Sequence, residues 1–192
     1  MIKRLLLTLS LAMAILTLLF VGVVIAQGPI TVDLALGQED VRVLGINPQD
    51  YLGESASGDI NGDGIDDLIS GAPSYPGLPY SDTNRGAVYV FFGSNTLSYP
   101  LQPPDDADLI IYGEAAYDRL GHFIAVGDVN GDGVGDLLIG ADVVDIESPT
   151  LRTDCGAVYV ILGSSALSGT IDLSQSGVSA DVTIYGLYLI HI

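Results

Sequence analysis

The sequence predicts an all-β fold built of repeated four-stranded units and preceded by an apolar N-terminal helix. Three observations carry that prediction. One long stretch of the chain recurs almost whole, with a period near 70 residues. Short runs of β-branched and aromatic residues are bounded by Gly and Asp. Beyond residue 26 no segment keeps a helical period.

The first element stands apart in composition. Lys3 and Arg4 form a positive start, Leu5 to Ile25 is almost wholly apolar, and Val24-Ile25-Ala26 resembles a signal-peptidase site. Residues 1–26 therefore read as a secretory signal peptide cut before Gln27. The apolar run is also long enough to cross a bilayer, so an uncleaved N-terminal anchor is the rival reading. Both place residues 27–192 outside the cytoplasm. The leader holds the only lysine and none of the acids. The exported part thus sets four arginines (Arg42, Arg85, Arg119, Arg152) against 24 Asp and Glu, a net charge of 4 − 24 = −20. Polyphosphate would be repelled by such a surface, so nucleic acid is excluded as a partner. The 48% apolar content excludes disorder, and the single Cys155 excludes a disulfide framework or a Cys-rich zinc module.

The repeats come next. Leu52-Gly53 to Ala72 recurs as Leu120-Gly121 to Ala141, and Gly86-Ala87-Val88-Tyr89-Val90 recurs as Gly156-Ala157-Val158-Tyr159-Val160. A third landmark occurs three times, as Asp40–Gly45, Asp108–Gly113 and Asp181–Gly186. The units run over about 40–107 and 108–180, with a third, truncated one over 181–192. In the second unit the expected strands are Leu109–Tyr112, His122–Val126, Leu137–Ala141 and Ala157–Leu162. Four antiparallel strands per repeat is the pattern of a β-propeller blade. Pro73–Arg85 and Ser98–Asp106, rich in Pro, Ser, Asp and Tyr, fit as connecting loops.

The chemistry lies in two acidic loops. Asp59-x-Asn61-x-Asp63-Gly64-x-x-Asp67 and Asp128-x-Asn130-x-Asp132-Gly133-x-x-Asp136 place oxygen side chains at positions 1, 3, 5 and 9. Alternate spacing lets a curled loop turn three oxygens toward one centre. Gly at position 6 permits the turn that lets a carbonyl at position 7, Ile65 or Val134, point inward. Oxygen-only coordination of this kind suits Ca²⁺ better than Mg²⁺, which demands tighter octahedral geometry. Two carboxylates ~4 Å apart repel by about 4 kcal/mol at an effective dielectric of about 20, which a divalent cation would relieve. An EF-hand needs Glu at position 12 and a helix after it. Here position 12 is Ser70 or Ile139 and a strand follows, so Asp67 or Asp136 must close the site. Asn-Gly and Asp-Gly also make tight turns without metal. Two copies in register, each leading into an apolar strand, favour the metal.

With these residues in hand, the units resemble FG-GAP repeats, the blades of the integrin α-subunit propeller and of many bacterial surface proteins. Leu52-Gly53 and Leu120-Gly121 stand in the Phe-Gly place. Gly71-Ala72-Pro73 keeps the Gly-Ala-Pro triplet, while Gly140-Ala141-Asp142 departs from it. The resemblance spans about residues 30–190. It implies a Ca²⁺-stabilised propeller for extracellular recognition or adhesion, seven-bladed in integrins, with a protein or glycan as ligand. It also implies a ligand set of Asp59, Asn61, Asp63, the Ile65 carbonyl and Asp67, and of Asp128, Asn130, Asp132, the Val134 carbonyl and Asp136, for about two Ca²⁺ per chain.

No nucleophile elbow, zincin helix, phosphate loop or dinucleotide fingerprint is present, so a non-enzymatic module is expected. The alternative is the repeat portion of a secreted hydrolase related to glycosylphosphatidylinositol-specific phospholipase D, its catalytic domain absent. His122 aligns with Glu54 and reads as a surface or packing residue; His191 carries little. Cys155 aligns with Arg85 and reads as an incidental, partly buried thiol. Tyr89, Tyr159, Tyr112 and Tyr185 read as blade packing, and Asp66, opposite Gly135, as a charge beside the site rather than a ligand. Unpaired strand edges of an incomplete ring invite self-association.

Overall fold

The computed structural model describes residues 41–45, 51–74, 84–94, 100–146 and 151–186. The leader, the middle of the first connecting loop and the His191 end lie outside the described residues. The described residues are all-β, as expected. The strands are β1 (Glu54–Gly58), β2 (Asp67–Ala72), β3 (Ala87–Phe91), β4 (Leu109–Tyr112), β5 (Phe123–Gly127), β6 (Asp136–Ala141), β7 (Ala157–Ile161), β8 (Gly169–Asp172) and β9 (Val182–Tyr185). They form two sheets, ordered β1-β2-β3-β4-β8 and β5-β6-β7-β9. Neighbours are antiparallel except β4 and β8, which run parallel.

The two sheets are built alike. In the first, Ala56, Ile69, Val90 and Leu109 lie opposite one another across four strands. In the second, Ala125, Leu138, Val160 and Val182 repeat that row. Period-two alternation gives each sheet two apolar faces, as a blade between two other blades requires. One face of the first sheet, with Ile69, Val88, Val90, Leu109 and Ile111, meets Leu137, Ile139, Tyr159 and Ile161 of the second in one buried cluster. On the far face of the first sheet, Tyr89, Phe91 and Tyr112 are buried around Leu101. Tyr89 and Tyr159, each 2% exposed, are blade-packing residues as expected.

Sequence repeat and blade are out of phase by one strand. The Asp108 landmark supplies β4, which closes the first sheet rather than opening the second. Likewise the Asp181 landmark supplies β9, the fourth strand of the second sheet. The recurring glycines of the repeat meet across the blade boundary. A Cβ on Gly71, in the Gly-Ala-Pro triplet, would collide with the carbonyl of Gly121, in the Phe-Gly place. Gly121 itself sits at φ +89, a conformation that L side chains avoid. Gly71 and Gly121 are therefore a contact point between the two blades. At Asp142, where the triplet's proline is replaced, the carboxylate pairs with Arg119 at 3.0 Å and lies 3.5 Å from His122 Nδ1. His122 thus lies beside the Arg119–Asp142 pair, its ring edge-on to Phe123 at 4.6 Å, as a packing residue at the start of β5.

The parallel strand β8 is not among the strands expected from the sequence. It belongs to the connection between β7 and β9, yet leaves its own blade to lie along β4 of the preceding one. Arg85 fixes it there, donating to Asp172 at 2.9 Å while stacking 4.8 Å over the Tyr112 ring.

Candidate metal centres

Both acidic loops connect the first two strands of a blade, β1 to β2 and β5 to β6, at the same end of the sheets. Their hydrogen bonds match atom for atom. Asp59 Oδ1 accepts from Gly62 N (2.7 Å) and Asp63 N (3.1 Å), and its Oδ2 from Gly64 N (2.8 Å). Asp128 does the same with Gly131 N (2.7 Å), Asp132 N (3.1 Å) and Gly133 N (2.9 Å). Asn61 and Asn130 accept from the position-5 amide at 2.8 and 2.9 Å. Asp63 and Asp132 accept from the amides of Ile65 and Val134, both at 2.8 Å. Such Asx-type bonds curl the backbone inward on its own side chains. Position 6 needs its glycine: Gly64 and Gly133 stand at φ +87 and +91. The Val134 amide, with help from Asn130, holds the Asp132 carboxyl below the usual carboxylate range.

Position 9 is different. Asp67 is 1% and Asp136 0% exposed, beneath the loops. Asp67 accepts from Ile60 N and Gly93 N, each at 2.9 Å. Asp136 accepts from Val129 N (2.8 Å), Asn130 N (3.3 Å) and Gly163 N (2.9 Å). Each thus ties its loop to the end of the third strand of its blade. Burial pushes the Asp67 carboxyl up, against the Gly93, Ile60 and Asn61 amides that lower it.

Gly93 and Gly163 escape a sequence reading aimed at carboxylates. A Cβ at Gly93 would collide with the Asp66 carbonyl, and one at Gly163 with the Gly135 carbonyl. Only glycine lets the third strand come this close beneath the loop. Their signal is Phe92-Gly93-Ser94 recurring as Leu162-Gly163-Ser164, 70 residues on.

The two loops also touch. Gly135 N donates to the Asp59 carbonyl at 2.8 Å, and Ser164 N to the Ile60 carbonyl at 3.0 Å. Gly135, the counterpart of Asp66, lies at this seam.

The donors fit a hard divalent cation by their chemistry. Positions 1, 3 and 5 offer only oxygens on an exposed rim, and among the described residues no cationic side chain pairs with Asp59, Asp63, Asp128 or Asp132. Each carboxylate oxygen bound to one amide keeps lone-pair capacity for a cation. Asp59, Asn61 and Asp63 are brought together, as are Asp128, Asn130 and Asp132, whereas Asp67 and Asp136 lie below, engaged by backbone amides. Among the described residues no three acids, His or Cys already converge as a metal-holding group.

The opposite end of the second blade holds a different set of acids. Glu114, Asp118, Asp145 and Tyr185 line a cavity of about 240 Å³. Asp118 is 6% exposed and accepts from Ala115 N at 3.1 Å. Burial, with Glu114 and Asp145 adding repulsion, pushes its carboxyl up to about 6. Tyr159 donates to Glu114 at 3.2 Å, and burial next to that carboxylate pushes its phenol up.

The FG-GAP repeat family matches residues 53–91 and 120–161, each span running from the start of a blade through its acid loop to the third strand. Phosphatidylinositol-glycan-specific phospholipase D of Bos taurus is 42% identical over 113 residues, 56% of this chain and 12% of its own length. Integrin alpha-3 of Cricetulus griseus is 39% identical over 117 residues, 60% of this chain and 10% of its own. Integrin alpha-PS2 of Drosophila melanogaster is 34% identical over 127 residues, 64% and 8%. The chain thus spans a small part of each of these relatives. Sharing the repeat with integrin α subunits and with the phospholipase, and folding it as blade-like sheets, the chain carries two FG-GAP repeats, at residues 53–91 and 120–161.

Proposed function

We propose that this chain is an exported, Ca²⁺-binding propeller module that serves extracellular recognition or adhesion and carries out no catalysis of its own. What supports the metal is one observation: two exposed all-oxygen loops with the same hydrogen bonds, side by side at one end of adjacent blades. Asp59, Asn61 and Asp63 with the Ile65 carbonyl, and Asp128, Asn130 and Asp132 with the Val134 carbonyl, would hold one Ca²⁺ each. Asp67 and Asp136 would close the sites from below through the lone pairs their amides leave free. The ion would neutralise carboxylates that now rely on backbone N–H groups and, at Asp63 and Asp132, on the Asn61 and Asn130 side-chain amides. Extracellular modules bind Ca²⁺ at about 10⁻⁴–10⁻³ M, so both loops would fill in millimolar calcium. Export rests on the charged, apolar start of residues 1–26. The ligand would be a protein or glycan, with no nucleic acid involved and with membrane contact only through an uncleaved leader.

The 42% identity to a phospholipase favours a second reading, the repeat portion of a secreted hydrolase. In that case the repeats position a catalytic domain and still bind Ca²⁺. Melting in EDTA and in millimolar CaCl₂ tests the shared claim: calcium should raise the midpoint and magnesium should do much less. Equal midpoints in all three would reject it. Assay of the purified chain on phosphatidylinositol-glycan substrate tests the absence of catalysis that both readings share: no turnover is expected, and turnover would overturn it.

A further inference from the structure

The strand β8 shows how one blade is strapped to the blade before it, and the same strap motif and the same kind of strand recur elsewhere in the chain. β8 pairs with β4 in parallel, with Gly169, Thr170, Ile171 and Asp172 opposite Leu109, Ile110, Ile111 and Tyr112. Gly169 N donates to the Asp108 carbonyl at 2.7 Å and Leu173 N to the Tyr112 carbonyl at 3.1 Å. Arg85 locks the far end, meeting Asp172 and reaching the Gly113 carbonyl at 3.4 Å. A similar arrangement occurs one unit earlier. Val43, of the first Asp40–Gly45 landmark, bridges Leu101 in parallel, and Leu101 precedes β4 as β8 precedes β9.

Among the described residues the third landmark strand, β9, is the last of its sheet. Leu109, Ile111 and Tyr112 are 0%, 0% and 8% exposed, whereas their counterparts Val182, Ile184 and Tyr185 are 48%, 58% and 43% exposed. Yet its cationic lock is in place. Arg152 donates to the Gly186 carbonyl at 2.6 Å, as Arg85 does to Gly113, and among the described residues it has no carboxylate partner. The strap motif itself occurs twice in the sequence. Thr170-Ile171-Asp172-Leu173 is matched by Thr31-Val32-Asp33-Leu34, which lies ahead of the Asp40 landmark as β8 lies ahead of Asp181. Residues 31–34 are outside the described residues.

We propose that the open edge of β9 is a docking site for residues 30–34 of a second copy of this chain. The segment adds in parallel in the register of β8, with Val32 opposite Ile184 and Asp33 opposite Tyr185, where its carboxylate meets Arg152. Main-chain hydrogen bonds hold the strand, and the Asp–Arg pair fixes direction and register. Complementarity of charge selects this segment, since Arg152 is one of only four arginines in a strongly acidic exported chain. Because the edge and the strap are different surfaces, the contact is head-to-tail and builds open chains or a closed ring. The proposal does not depend on the calcium reading.

Sedimentation velocity on the chain recovered after export tests it. The mass should rise with concentration above that of one chain. Asp33→Arg and Arg152→Asp should each hold the protein at one chain, because strap and edge then carry the same sign of charge. Mixing the two variants should restore assembly, because the strap of each is again opposite in charge to the edge of the other. The mixture also shows that both variants are folded. A parent chain that is monomeric at every concentration, assembly that survives both substitutions, or a mixture that stays monomeric would each overturn the proposal.

Discussion

The two ends of the second blade carry the same chemistry, clustered carboxylates, in opposite settings. At one end Asp128 and Asp132 stand on an exposed rim with the loop's own amides turned toward them, and Asp132 is held below the usual carboxylate range. At the other, Asp118 is buried beside Glu114 and Asp145 with a single amide, and its carboxyl is pushed up to about 6. Acid count alone would rank the two clusters together. The backbone separates them: inward-turned N–H groups keep charge in place where a cation can reach it, whereas burial without donors expels charge. The first end is built to stay ionised, whereas the second takes up a proton already near pH 6.

The largest effect should come from the buried carboxylate beneath the rim. Asp136→Ala removes the acceptor for Val129 and Gly163 amides under the loop. In EDTA it should cost about 3 kcal/mol, read from the denaturant midpoint, since buried donors to a charged acceptor are left unpaired. A loss no larger than that of a surface change would mean that the position-9 acid is not what ties the loop down. Gly163→Ala should come next, at about 1–3 kcal/mol, because the Gly135 carbonyl occupies the space of the new methyl group.

The proton-holding end gives a pH test. Asp118 titrates near 6 when folded against 3.8 when unfolded, so the folded state binds the proton more tightly between those values. Its contribution to stability is therefore fully present below about pH 4 and is lost as pH rises through about 6. Asp118→Asn, whose amide oxygen can still accept from Ala115, should melt higher than the parent at pH 7, with the gap closing toward pH 4. A gap that is constant across that range would break the contrast between the two ends. The smallest effect on folding should come from Asp132→Asn on the rim, within about 0.5 kcal/mol in EDTA. The same change should abolish the stabilisation of the second loop expected of calcium under the proposed function.

The fold is legible in the sequence where local pattern and tertiary role agree. β4, β6 and β7 are apolar runs bounded by Gly and Asp, and they lie within a residue of their expected limits. β5, at Phe123–Gly127, lies one residue beyond its expected limits. β8 is not legible from its own four residues, Gly-Thr-Ile-Asp, because its strand state comes from the edge of β4 in another blade. The landmark strands fall on the other side of the blade boundary from the sequence units for the same reason, since pairing partners are not written in spacing. The acid loops are legible because their bonds are local, each spanning five residues or fewer at positions 1, 3 and 5. Spacing places Asp67 and Asp136 along the chain, but their burial and their bonds to Gly93 and Gly163 depend on strands far away. Asp118 has one available signal, its alignment with Asp50 in the first repeat.

The central claim is that the rim built on Asp59 and Asp128 binds calcium, and titration calorimetry tests it most directly. Titrated to millimolar Ca²⁺, the chain should take up about two ions, Asp59→Asn and Asp128→Asn about one each, and the double variant none. No calcium heat in the parent chain, or uptake unchanged in the double variant, would contradict the account.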